Sequence, residues 1–284
     1  MTASSGFFAL RKRTELKSLH GIQTLTLRCE PFYRGTRRMF LIRLRSAGAT
    51  DVGLWRSNNE DSYLIMPEAG VFALADGMGG AAAGEIASQY FIETVRDVFQ
   101  SRNDKPMTSV HASVQKAFKL ANKRILAHTA RHPDDEGMGC TGELLVLSGD
   151  RYVIGHVGDS RIYLLRDNGL RQLTKDHSLV QSQVDDGTLT AEEAKHHPRK
   201  NILLRAVGTD LTETCDIVEG YVLNRDIFLL CSDGLTDMVE DSAILKAVAS
   251  FHAPEDTVKN LVSAALTAGG KDNVTVVLCA AEIA

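Results

Sequence analysis

The sequence predicts an α+β fold built in layers rather than by strict strand–helix alternation. Two observations carry this. Apolar runs of strand length crowd the middle of the chain and are joined by links of two to five residues. Such links join antiparallel neighbours, because a parallel crossover needs about a dozen residues or more. Helical periodicity, in contrast, is confined to separate blocks outside those runs, the pattern of helices packed on sheets.

The elements follow in order. Ser62–Ile65 and Val71–Ala75 flank a turn at Glu68-Ala69-Gly70. Glu143–Leu147, Tyr152–His156, Ile162–Leu165 and Leu170–Leu173 come in quick succession, with turn residues at Ser148-Gly149-Asp150 and Asp167-Asn168-Gly169. Ile227–Cys231 and Val274–Leu278 complete the predicted strands. Gly84–Phe99 has apolar residues at helical spacing (Ile86, Tyr90, Val95, Phe99), and so does Val110–Ala130 (Val114, Phe118, Ala121, Ile125). A third helix over 254–267 opens with Pro254-Glu255-Asp256, residues suited to a helix N-terminus. Residues 178–200 form a polar excursion with short helices, and excursions of this length are often lids.

The chain has 284 residues, 24% charged and 44% hydrophobic, ordinary values for a globular protein. A net charge of -4 gives no reason to expect nucleic-acid binding. The charge is uneven, however. Residues 1–46 hold ten Lys/Arg against two Asp/Glu, and the rest of the chain holds 22 against 34. A basic head can contact a membrane surface or nucleic acid. Residues 1–46 are expected to form a solvated, partly disordered extension ahead of one domain at 47–284. Met39 is a candidate second start. The five cysteines form no C-x-x-C pair, which argues against a disulfide framework and a thiolate zinc site and for a reducing, cytoplasmic setting. No apolar stretch approaches the roughly 18–20 residues of a membrane span. The apolar patch Gly6–Leu10 precedes the basic cluster Arg11-Lys12-Arg13, the reverse of a signal peptide.

Candidate chemistry lies in acidic steps at strand ends. Val71–Ala75 runs into Asp76-Gly77, Ile227–Cys231 into Ser232-Asp233-Gly234, and Asp272-Asn273 leads into Val274. Asp159 sits between two strands in HVGDSR. Any one such step is an ordinary turn. Together, several carboxylates at one edge of a core repel one another and need a cation. Ligation by oxygen alone suits Mg²⁺ or Mn²⁺ rather than zinc. Upstream, RSNNEDS offers Arg56 as a phosphate clamp and the Glu60-Asp61 pair to reach a metal-bound water.

RSNNEDS, ALADGMGG, GHVGDSRIY, TKDHSLV, LLCSDGLTD and GGKDNVTVV occur in the order and spacing of the metal-dependent protein phosphatases of type 2C, and the chain resembles the bacterial members over about residues 48–282. The resemblance implies a four-layer αββα sandwich, two antiparallel β-sheets flanked by helices. It implies a serine/threonine phosphatase with two Mn²⁺ or Mg²⁺ ions and a weaker third. Asp76 would bridge two ions and Gly77 give one a carbonyl. Asp233 and Asp272 would hold the second ion, with Glu60 acting through water. Asp159 and Asp233 match the third site, and Arg56 matches the phosphate-binding arginine. A hydroxide bridging the metals would attack phosphorus in line, with no covalent phosphoenzyme. The excursion at 178–200 matches the family's flap. Expected partners are phosphorylated proteins and a cognate serine/threonine kinase, acting on a monomer.

One departure stands out. Eukaryotic members carry His two residues after the bridging Asp, and here that residue is Met78. His177 is a candidate proton donor, but a His following Asp is more often a structural hydrogen-bond partner. Two other function classes compete. Gly77–Ala82 satisfies G-x-G-x-x-A, a weak dinucleotide fingerprint spoiled by Asp76 directly before it and by the lack of a second parallel strand. A non-catalytic binding module on the same fold would lack the metal carboxylates, which are present.

Overall fold

The computed structural model describes residues 17–19, 22–24, 42–79, 83–100, 107–209 and 214–283. A short antiparallel hairpin of β1 (Lys17–Leu19) and β2 (Ile22–Thr24) comes first. The strands that follow are β3 (Ile42–Asp51), β4 (Asp61–Met66), β5 (Val71–Met78), β6 (Gly139–Cys140), β7 (Gly142–Ser148), β8 (Arg151–Val157) and β9 (Arg161–Arg166). The set closes with β10 (Gly169–Gln172), β11 (Asp216–Tyr221), β12 (Ile227–Cys231) and β13 (Val274–Ile283). One sheet has the order β10-β9-β12-β13-β3, the other β11-β8-β7-β5-β4, with β6 paired to the end of β5. Every strand pairing among the described residues is antiparallel. That excludes the doubly wound parallel sheet of the dinucleotide reading.

The sheets stack face to face, and side-chain alternation shows why. In β12, Phe228 and Leu230 enter the core between the sheets, while Ile227, Leu229 and Cys231 face the helices. In β5, Phe72 and Leu74 face the other sheet, and Val71, Ala73 and Ala75 face outward to helices. A strand covered on both faces is apolar at every position, which is why these runs lack alternation. Phe228 is fully buried, so Phe228→Ala costs about 3–5 kcal/mol.

Helices α1 (Gly84–Phe99) and α2 (Met107–Thr129) cover one sheet, their buried stripes meeting edge to face at Phe91 and Phe118, 5.0 Å apart. Helices α6 (Asp241–Ala249) and α7 (Pro254–Thr267) cover the other through Ile244, Val248, Val258 and Leu261. The fold is thus the four-layer αββα sandwich. Between β10 and β11 lie α3 (Leu179–Asp185), capped by Ser178, and α4 (Ala191–Lys195), with a capping box of Thr190 and Glu193. These are the short helices expected within 178–200. The hairpin at Asp167-Asn168 has both residues at positive φ, as a two-residue turn of this kind requires.

The domain boundary needs correction. Strand β3 begins at Ile42, inside the segment assigned to the extension, and pairs along its length with β13 from Ile42↔Ile283 to Asp51↔Val274. The two arginines in Ile42-Arg43-Leu44-Arg45 made the segment read as solvated. In fact Leu44 enters the inter-sheet core, while Arg45 turns outward to the His252 carbonyl and over the Phe251 ring. Met39 and most of residues 1–41 lie outside the described residues.

Candidate metal centre

The β4–β5 ladder sets Asp61 directly opposite Asp76. The Asp76 N–H donates to the Thr141 hydroxyl at 2.8 Å, and the Thr141 N–H donates to the Asp76 carbonyl at 2.8 Å. Thr141 also shares a hydrogen bond with Ser160, next to Asp159, which ties the β8–β9 turn to β5. Gly77 continues the strand, its N–H on the Glu60 carbonyl at 3.1 Å. A Cβ on Gly77 would overlap the Gly84 carbonyl, so only glycine lets α1 approach this closely.

Asp233 follows β12 and opens the short helix α5 (Asp233–Thr236). Ser232 before it donates its hydroxyl to Asp61 Oδ2 at 2.8 Å and accepts the Thr275 N–H at 2.9 Å. Asp272 precedes β13, and Arg56 donates to its Oδ2 at 2.7 Å. The neighbouring Asn273 is the pin of the 52–60 loop. Its amide donates to the carbonyls of Val52 and Asn58, and its oxygen accepts the Glu60 N–H at 2.8 Å.

Electrostatics place these groups in one field. Asp76 is pushed well above the usual aspartate range, first by desolvation, then by Asp61, Asp233, Asp159 and Asp272. Asp233 is pushed up in the same way, by desolvation and then by Asp159, Asp237, Asp272 and Asp61. Asp61 rises to about 6 and Asp159 to about 7, both chiefly through burial. Asp61 is buried, whereas Asp76, Asp159, Asp233, Asp272 and Glu60 are half-buried, open in part to solvent. Oδ1 of Asp61 and Oδ1 of Asp233 are buried with no hydrogen-bond donor. Neighbouring carboxylates with two unpaired buried oxygens fit a hard divalent cation, and the all-oxygen donor set fits Mg²⁺ or Mn²⁺.

Arg56 stands half-exposed at the mouth of this cluster, and burial with Glu85 close by raises Glu60. Thus Arg56, Glu60, Asp76, Gly77, Asp159, Asp233 and Asp272 come together. Asp237, on the exposed side of Asp233 and Asp159, pairs with Lys200 of the 178–200 excursion at 2.5 Å. His177 lies to one side. Its Nδ1 accepts the Gly158 N–H at 3.1 Å, its Nε2 meets Asp216 at 3.2 Å, and its ring stacks on His156. Burial, then His156 and Arg205, push its pKa down to about 4. Asp176 of the same motif takes a two-pronged bond from Arg161, so TKDHSLV and GDSRIY brace each other.

The family model for protein phosphatase 2C matches residues 56–268. The chain belongs to the protein phosphatase 2C family. It is similar to the serine/threonine protein phosphatase PstP of Mycobacterium tuberculosis, with 43% identity over 238 residues, covering 83% of this chain and 44% of PstP. The chain therefore spans less than half the length of that relative. The serine/threonine phosphatase stp of Listeria monocytogenes is 36% identical over 233 residues, covering 81% of this chain and 92% of stp. Among solved structures, the catalytic domain of PstP in complex with two manganese ions aligns at a TM-score of 0.78 and 39% identity, over 85% of this chain and 99% of that one. Staphylococcus aureus serine/threonine phosphatase aligns at 0.80 and 32%, over 89% and 99%.

Within this phosphatase 2C domain, the sequence offers Asp61 beside Glu60 but assigns no role to Thr141 or Asn273. Asn273 adjoins Asp272, and that adjacency was the available signal. Thr141 gave none, since its role depends on β6 folding back beside β5.

Proposed function

We propose that the chain is a metal-dependent phosphoprotein phosphatase that hydrolyses phosphoserine and phosphothreonine by direct in-line attack of hydroxide, without a covalent enzyme intermediate. The observation that carries this reading is the convergence of Asp61, Asp76, Asp233 and Asp272, with two bare buried oxygens, beneath the guanidinium of Arg56.

Asp76 and the Gly77 carbonyl would hold one Mn²⁺ or Mg²⁺, and Asp76, Asp233 and Asp272 the second. Glu60 would act through water, and Asp159 with Asp233 would hold a weaker third. When bound, such ions supply Lewis acidity at the phosphoryl group and lower the pKa of water. The protein's own groups do the rest. The Asp272 bond uses one of the five N–H donors of Arg56, and the others are free to grip phosphoryl oxygens and orient phosphorus. Asn273 holds the loop that presents Arg56 and Glu60. Met78 has no acidic proton to give, and His177 is neutral with both ring nitrogens engaged, so the leaving oxygen takes its proton from water.

The same reading includes phosphorylated proteins as substrates, a serine/threonine kinase that writes the mark, a monomeric state, residues 178–200 as a flap beside the cleft, and a cytoplasmic setting. Cys140, Cys231 and Cys279 are buried free thiols, which supports the last. No helix among the described residues is long and apolar enough to cross a membrane. The test is hydrolysis of p-nitrophenyl phosphate and of phosphoserine peptides with and without Mn²⁺. Hydrolysis that requires the metal supports the reading, and inactivity at every metal concentration leaves a binding module instead.

A further inference from the structure

We propose that His128, His132 and Asp135 form a second metal site, of zinc-class chemistry, at the end of α2 and apart from the carboxylate cleft. The helical hydrogen bonding of α2 runs on past Thr129, with the His132 N–H on the His128 carbonyl at 2.9 Å. His128 and His132 therefore stand one turn apart on the same face, their rings stacked 4.3 Å centre to centre. The turn at Pro133–Asp135 folds Asp135 back so that its Oδ2 lies 2.7 Å from His128 Nε2. One donor atom from each of the three side chains lies within 4.8 Å of the others.

Two further features point to a metal ion rather than to an ion pair alone. Tyr90 Oη lies 3.2 Å from His128 Nδ1. A histidine that ligates through Nε2 carries its proton on Nδ1 and donates it to such an outer partner, which fixes the ring. The setting is also right for a cation. His128 and Asp135 are half-buried, His132 is exposed to admit an ion, and the exposed Asp134 and Glu136 add negative charge. Bonds of about 2.0–2.2 Å to nitrogen and oxygen need the donors about 3.4 Å apart. The 2.7 Å contact must open and the widest separation close, and rotation about the side-chain bonds supplies both. Two imidazoles and a carboxylate select Zn²⁺ or its neighbours over Mg²⁺, the opposite preference to the all-oxygen cleft.

This site is wired to the cleft through backbone. The Met138 N–H bonds the Asp135 carbonyl, and Met138 packs on Gly79, three residues after Asp76. Gly139 and Cys140 then pair with Met78 and Gly77. An ion that fixes Asp135 fixes the start of that connection.

The test is equilibrium dialysis of the full chain, preloaded with Mn²⁺, against micromolar Zn²⁺, followed by metal analysis. The wild type is expected to retain one more zinc per chain than His132→Ala or Asp135→Asn, and Tyr90→Phe to bind that zinc at least about tenfold more weakly. Co²⁺ loading should give visible d–d absorption that His132→Ala loses. His132 is exposed and outside the cleft, so its alanine variant should keep Mn²⁺-dependent hydrolysis, which verifies the fold. Equal zinc content in wild type and His132→Ala, with the fold verified, overturns the assignment.

Discussion

Ser232 donates its hydroxyl to the buried carboxylate of Asp61 at 2.8 Å, and this bond ties the end of β12 in one sheet to the start of β4 in the other. The same oxygen accepts the Thr275 N–H. The edge of the sandwich that carries the acidic cluster is thus held together by a serine. Ser232→Ala leaves a buried carboxylate without its donor and should lower stability by about 1–3 kcal/mol. A denaturant midpoint equal to wild type would show that water replaces the hydroxyl and that the bond does not clamp the sheets.

The cluster opposes folding when no cation is present. Removing one charge should therefore stabilise the metal-free protein while removing its response to metal. Asp233→Asn is expected to melt higher than wild type in chelator, and to gain less than wild type when Mn²⁺ is added. Thermal melts of both proteins with and without Mn²⁺ measure this directly. A larger Mn²⁺ gain in the variant than in wild type contradicts it.

The pH dependence of the metal-free protein has a definite sign. Asp61 titrates at about 6 and Asp159 at about 7 in the folded chain, because burial, then for Asp159 the charge on Asp176, disfavours ionisation. Unfolded aspartate titrates near about 3.9. Between these values the native state binds more protons than the unfolded state, so stability falls as pH rises. The contribution is whole below about pH 4 and lost by about pH 7. Chelated protein should melt lower at pH 7.5 than at pH 5.5, and Mn²⁺ should narrow the difference. A chelated protein that melts higher at the upper pH refutes this.

His177 is a brace rather than a proton donor. Its ring holds the Gly158 N–H beside Asp159, and its depressed pKa leaves it neutral at pH 7. His177→Ala should cost less kcat than Asp76→Asn, by about tenfold or more, and leave the basic limb of the pH–rate profile in place. Equal losses with metal content retained in the His177 variant would reverse the ranking.

Asn273 carries the loop of Arg56 and Glu60 on three hydrogen bonds. Asn273→Ala should raise KM for phosphopeptides by about tenfold, since a loosened loop misplaces the phosphate clamp by the distances that matter for positioning. Bound Mn²⁺ should change far less than KM. An unchanged KM in a folded variant would show that the loop is held by other contacts.

Much of the fold was legible in the chain. Predicted Ile227–Cys231 and Gly84–Phe99 coincide with β12 and α1, because both segments express one clear pattern, an unbroken apolar run and a 3.6-residue stripe. Strand β11 was missed because it lies at a sheet edge and is half exposed, so Asp216, Glu219 and Gly220 weaken its pattern. Strand β3 was missed because Arg43 and Arg45 outweighed the apolar Ile42 and Leu44 beside them. Helix α6 was missed as well, a nine-residue segment between a loop and a helix with stronger end signals.

The sequence by itself determined the acidic residues at strand ends, their order and the family they belong to, because these are properties of short contiguous segments. Only the tertiary structure decided that Asp61 joins Asp76, that Ser232 and Thr141 hold the two strands' ends, and that Asn273 carries Arg56's loop. Those contacts span separations such as 171 residues between Asp61 and Ser232 and 213 between Glu60 and Asn273. No local propensity encodes such a pairing, which arises only when the two sheets stack and the hydrophobic core sets which strand ends meet.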